Sequence, residues 1–119
     1  MLAVGEYQLG FLDQNMIRMS TGFSGGYGDS RTYLCGAFSA GVMIISAVYG
    51  RTKPDEDDSL CFRKVMEYRN LFSQVMGSVY CPELRAEKFG SGGLEPCSIL
   101  VERAANILMD VLESPNSID

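Results

Sequence analysis

Histidine is absent from all 119 residues, and that absence removes whole classes of chemistry. Ser-His-Asp and Cys-His catalysis, histidine-ligated zinc and covalent haem attachment through a Cys-x-x-Cys-His run all need an imidazole. No two of the four cysteines are spaced Cys-x-x-Cys, so neither a thioredoxin-type active site nor a zinc ribbon can be read locally. Basic charge is also scarce. Ten Lys and Arg against fifteen Asp and Glu leave a net charge of −5, which opposes long-range attraction of nucleic acid or anionic lipid. Met1 to Gly10 lacks the basic start and sustained apolar run of a signal peptide. A reducing cytoplasm with free or functional thiols is therefore expected, and structural disulfides are the second choice.

What is present suits one folded domain over residues 1–119. A chain of this length buries roughly two thirds of its unfolded surface, and 46% apolar with 21% charged residues is ordinary for a globular core. The apolar residues repeat at helical spacing, and no convincing strand alternation occurs. The expectation is an all-α fold, a compact bundle of four to five helices around an apolar central helix.

A first helix is predicted from Asp13, as N-cap, through Met16, Met19 and Phe23. The glycines at 22, 25, 26 and 28 then stop it and suit a tight crossing between helices. A phosphate-cradling role for this loop lacks support, because GxxxxGK[ST] is missing and no lysine follows. From Thr32 to Gly50 no charge interrupts an apolar run through Leu34, Phe38, Val42, Ile45 and Val48. Such a helix is either a central core element or a membrane span. The small residues Gly36, Ala37, Ser39, Ala40 and Gly41, and basic residues at both ends, favour the core, so no span is expected.

Pro54 followed by Asp55 to Asp58 reads as the start of a helix whose dipole the carboxylates complement. Its apolar stripe is Cys61, Val65, Tyr68, Phe72 and Val75, with Arg63, Lys64, Glu67 and Asn70 turned away, and it ends at Gly77. Cys81-Pro82-Glu83 opens a shorter helix, and a Gly90-Ser91-Gly92-Gly93 linker follows. The last helix begins near Glu95-Pro96 and places Cys97, Val101, Ala104, Leu108 and Val111 on one face. Ser114 to Asp119 is expected to fray.

The chemistry of this chain, then, rests on sulfur. Cys35, Cys81 and Cys97 each fall at a predicted helix start, where unpaired N–H groups and the dipole favour the thiolate, the form that attacks disulfides and binds metals. Cys61 sits in a regular apolar stripe, where cysteine acts as a small inert hydrophobe. Packing is the alternative for the other three as well.

Gly22-Phe23-Ser24-Gly25-Gly26, Cys35-Gly36-Ala37-Phe38-Ser39-Ala40-Gly41, Tyr49-Gly50-Arg51-Thr52, Cys81-Pro82-Glu83-Leu84 and Cys97 together resemble the C_GCAxxG_C_C family, described as redox-active. The order and spacing match from about Met16 to Leu112. The resemblance implies an all-helical bacterial or archaeal protein with four recurrent cysteines and no established substrate or cofactor. Two departures stand out. Ala40 replaces the glycine of the family's CGAxxG, with Gly41 one residue later. The family's first cysteine, on a helix carrying an Asn-Cys-Ala-Gln-like segment, has no counterpart, because this chain starts just beyond it. Cys61 does not align with it, so only Cys35, Cys81 and Cys97 inherit the family role. Haem chemistry found in relatives joined to haem-binding segments does not carry over, since the attachment motif and histidine ligands are missing.

Three functions remain open on these residues. One is thiol–disulfide exchange, with Cys35 attacking and Cys81 or Cys97 resolving, alongside a redox partner protein. Another is a zinc or iron-sulfur module using the three thiolates and an outside ligand. The third is a non-catalytic interaction protein. Apolar surface left by a missing first helix would favour a homodimer or larger oligomer.

Overall fold

The computed structural model describes residues 2–87, 89, 90 and 95–115. Within them lie six helices: α1 (Leu2–Leu9), α2 (Gln14–Thr21), α3 (Gly36–Tyr49), α4 (Ser59–Met76), α5 (Cys81–Glu87) and α6 (Cys97–Glu113). The all-α bundle expected from the periodicity is the fold. The only extended pairings among the described residues are isolated bridges, Leu34 with Tyr80 and Phe89 with Glu95.

The apolar α3 packs against α4 and α6, and these three helices supply most of the core. Phe38 of α3 stacks on Tyr68 of α4, with centroids 5.4 Å apart and rings 2° from parallel, and meets Phe72 edge-on at 5.3 Å. Aromatic pairs of this kind add about 0.5–1.5 kcal/mol beyond their buried area. The close approach depends on Gly41, since a Cβ there would lie 2.4 Å from Tyr68 Oη and Cζ. At 14 residues, α3 is about 21 Å long at the helical rise, short of a hydrocarbon core of about 30 Å. Among the described residues no helix is long and apolar enough to cross a membrane.

Several boundaries differ from the sequence expectation. α1 was not expected. It carries Gly5 in its middle and shows no repeating apolar stripe; Gly10, at φ +87°, ends it by donating to Glu6 O at 2.9 Å, and Val4 packs into the core. Asp13 caps α2 as expected, accepting from Met16 N at 2.8 Å, but the helix stops at Thr21, short of Phe23. α3 begins at Gly36 because residues 33–35 are held as extended backbone. α4 begins at Ser59, five residues beyond the expected start at Pro54. Pro54 to Asp58 form a turn before it, in which Asp57 accepts from Ser59 N at 3.0 Å and Asp58 pairs with Arg51 at 2.6 Å. Gly77 ends α4 with φ +94°, in the left-handed region.

The largest correction concerns Lys64, which was expected to face solvent and is fully buried. Its Nζ donates to Val111 O and Ser114 O, both at 2.9 Å, and to Ser114 Oγ at 2.5 Å. The last carbonyls of α6 have no partner within the helix and form the negative end of its dipole, so a cation is the natural cap. The same contacts hold Ser114, at the start of the segment expected to fray; residues 116–119 lie outside the described residues, as do Ser91 to Gly93 of the expected linker. Inward positions shift slightly too. Met76 rather than Val75 is buried on α4, and Leu100 rather than Val101 on α6. α5 opens at Cys81 as read from Pro82.

Candidate functional site

Four segments converge on one cavity of about 230 Å³. Cys35 comes from the N-terminus of α3, Cys81 from that of α5 and Cys97 from that of α6, and the loop Ser24 to Gly26 closes one side. The three expected cysteines are thus gathered. Cys61 is buried on α4 and is not part of the lining. All four thiols are unpaired.

Backbone hydrogen bonds bring Cys35 and Cys81 together. Around the Leu34–Tyr80 bridge, Cys35 N donates to Val79 O and Cys81 N donates to Tyr33 O, both at 2.8 Å. In this antiparallel register Cys81 is the diagonal neighbour of Cys35 on the same face. Each sulfur then starts a helix, because the extended segments lead directly into α3 and α5. Cys97 follows the N-cap Pro96 and is the most accessible of the three; the other two are 8% and 7% exposed.

The loop that closes the cavity has an unusual backbone. Gly25, Gly26, Tyr27, Gly28 and Asp29 all have φ between +55° and +72°, and Arg31 follows at +58°. A left-handed residue with a side chain costs roughly 1–2 kcal/mol, so Tyr27, Asp29 and Arg31 need support from their surroundings. Phe23 meets the Tyr27 ring edge-on at 5.1 Å, and Ser39 Oγ donates to Tyr27 Oη at 3.3 Å. Glycine is required where the loop touches the sulfur: a Cβ on Gly26 would lie 2.8 Å from Cys81 Cβ and 3.1 Å from its Sγ. Gly36 plays the same part beneath Phe23, whose carbonyl oxygen would be 2.8 Å from a Cβ. The glycine cluster, read as a helix crossing, is a left-handed wrap over the thiols.

The electrostatics differ from the helix-start expectation. Burial pushes the Cys35 thiol above its ordinary value, and the neighbouring Cys81 and Cys97 thiols push it further; the amides of Phe38 and Ala37 pull the other way without prevailing. Removing a thiolate from water outweighs what the helix terminus offers. Tyr68 is also raised, first by burial and then by Cys35, and its hydroxyl donates to Ala37 O at 3.3 Å in the first turn of α3. Among the described residues no group of three Cys, Asp or Glu side chains is placed to hold a metal ion.

Sequence reasoning missed Arg85, which lines the same cavity. The available signal was its spacing: Cys81 and Arg85 are four apart on α5 and share a face.

An all-helical chain whose separate cysteines meet at helix starts defines a class of thiol-bearing bundles. The family model described as "Putative redox-active protein (C_GCAxxG_C_C)" matches residues 1–111, and this chain belongs to that family. The match reaches further toward the N-terminus than the Met16 to Leu112 resemblance and includes α1. Comparison with curated proteins and with solved structures yields no match.

Proposed function

We propose that this protein performs two-electron thiol–disulfide exchange at the cavity shared by Cys35, Cys81 and Cys97. The observation that carries the reading is selective convergence: these three thiols line one cavity, and Cys61 does not. Accessibility favours Cys97 as the thiol that attacks, in place of Cys35, whose burial and upward shift suit the resolving role shared with Cys81. Attack on a disulfide forms a mixed disulfide with Cys97 and releases one thiol. A second protein thiol then attacks Cys97 Sγ, releasing the other. Two protein thiols are oxidised as one disulfide is reduced, and a reducing compartment such as the cytoplasm would restore them.

The test is single-turnover reduction of a small disulfide by the fully reduced chain. Two protein thiols should disappear per disulfide consumed, Cys97→Ser should abolish the reaction, and Cys61→Ser should leave it intact. Equal dependence on Cys61, or reaction without thiol loss, would refute the mechanism.

Self-association is the second part of the proposal. Tyr7, Phe11 and Met19 are strongly exposed beside an apolar groove of about 430 Å³ lined by Leu12, Met16, Met43 and Ile44. A second copy of the chain would cover this surface in a symmetric dimer. Sedimentation equilibrium should report a dimer that Phe11→Lys weakens; a monomer at high concentration would contradict it.

A further inference from the structure

The cavity that holds three thiols contains one charged group among the described residues, and it is cationic. Arg85 lines it one helical turn after Cys81, and no Asp or Glu joins the lining. In a chain of net charge −5, an arginine lining a cavity whose described lining includes no carboxylate is a specific feature. Among the described residues Arg85 has no hydrogen-bond or ion-pair partner. Glu83, an acid of the same helix, accepts from the Ser78 hydroxyl. Arg85 is half-buried, packed beside Gly90, where a Cβ would lie 3.0 Å from its Nη1. Its charge is therefore left for whatever enters the cavity.

We propose that the cavity takes a small disulfide carrying a carboxylate, with Arg85 binding the carboxylate while Cys97 attacks the adjacent sulfur. This rests on the exchange reading above and names its substrate class. A volume of about 230 Å³ is the size of a small organic molecule. The planar guanidinium matches a carboxylate through two parallel N–H···O bonds. The Cys97 thiolate displaces one carboxylate-bearing thiolate, which takes up a proton, and forms a mixed disulfide. A second cavity thiol displaces the other and leaves a protein disulfide. The substrate gains two electrons and two protons, and two protein thiols lose them.

Two probes of matched length test this: the disulfide of 3-mercaptopropionate, which is dianionic, and the disulfide of 3-mercaptopropanol, which is neutral. Single-turnover rate constants with reduced protein, each divided by the rate with a small thiol in solution, give an anionic-to-neutral ratio. The ratio should exceed one for the native chain and fall by about tenfold to a hundredfold in Arg85→Gln, the range for a hydrogen bond to a charged group. Arg85→Lys, which keeps the charge, should retain part of the preference. Arg85→Glu should favour the disulfide of cysteamine, which is cationic. A ratio near one in the native chain, or one unchanged in Arg85→Gln and Arg85→Glu, would overturn the substrate assignment and leave the exchange chemistry standing. No reduction of either probe by the native chain would overturn both.

Discussion

Replacing Gly26 with alanine should destabilise the protein through two separable effects, and Gly28 supplies the control for one of them. Both glycines are left-handed, at φ +72° and +60°. Alanine in that region costs roughly 1–2 kcal/mol, offset by roughly 0.4–1 kcal/mol because the unfolded chain loses freedom. Gly28 has nothing within 4 Å of an added Cβ, so Gly28→Ala should cost about 1 kcal/mol. At Gly26 the new Cβ would lie 2.8 Å from Cys81 Cβ and 2.9 Å from Arg31 Cα. Neither atom is the end of a flexible side chain, and overpacking of this kind adds about 1–3 kcal/mol. Gly26→Ala should therefore cost about 2–4 kcal/mol in total. Urea titration measures both as midpoint shifts at constant slope. Relief of the clash should also displace Cys81 and speed its alkylation, while Cys61 reacts as before. Equal losses for the two variants, or Gly26→Ala without faster Cys81 labelling, would refute the claim that this loop packs directly on the sulfur.

Lys64→Met keeps the aliphatic stem but leaves Val111 O, Ser114 O and Ser114 Oγ without their cap. Val111 O and Ser114 Oγ still bond each other at 2.7 Å, so the expected loss is about 1–3 kcal/mol, set by the bonds lost from the lysine, and should appear as a lower melting temperature. Hydrogen exchange should quicken at the end of α6. Cys35 titrates above its ordinary value of 9.0, so its alkylation should accelerate only at higher pH than a free thiol; a midpoint below 9.0 would contradict the burial argument. The same shift favours the neutral thiol in the folded state. Its contribution is fully present below the unfolded pKa and is lost as pH rises through the folded one, a decline that Cys35→Ala should flatten. Gly41→Ala should cost about 1–3 kcal/mol by driving a methyl into the Tyr68 ring, and near-ultraviolet dichroism should report the disturbed Phe38–Tyr68 stack.

The helices with regular apolar spacing are legible in the sequence. α3, α4 and α6 carry continuous apolar patterns, and Asp13 and Gly77 mark helix ends through chemistry that is local in sequence. α1 was not legible, because it has no apolar stripe and leans on tertiary contact through Val4. Lys64 was misread for a related reason: its partner, the C-terminus of α6, lies 47 residues away at Val111. Spacing cannot report such a distance. At the site, the helix-start positions of Cys35, Cys81 and Cys97 were readable from neighbouring Gly, Pro and Glu residues. Their convergence was not, since it depends on the Leu34–Tyr80 pairing, which lacks any alternating pattern. The direction of the Cys35 shift was misjudged because burial, a property of the whole fold, outweighs the local dipole. Arg85 reads in the sequence as an ordinary basic residue near the end of a short helix; only the fold brings it to the thiol cavity.

The most direct measurement is disulfide mapping after one equivalent of mild oxidant. Peptide mass spectrometry of the monomeric fraction should find a bridge drawn only from Cys35, Cys81 and Cys97, with Cys61 still alkylatable, as expected for sulfurs whose Cα atoms can approach within about 7 Å. A bridge that includes Cys61, or an oxidised chain in which those three remain free, would contradict a shared thiol cavity.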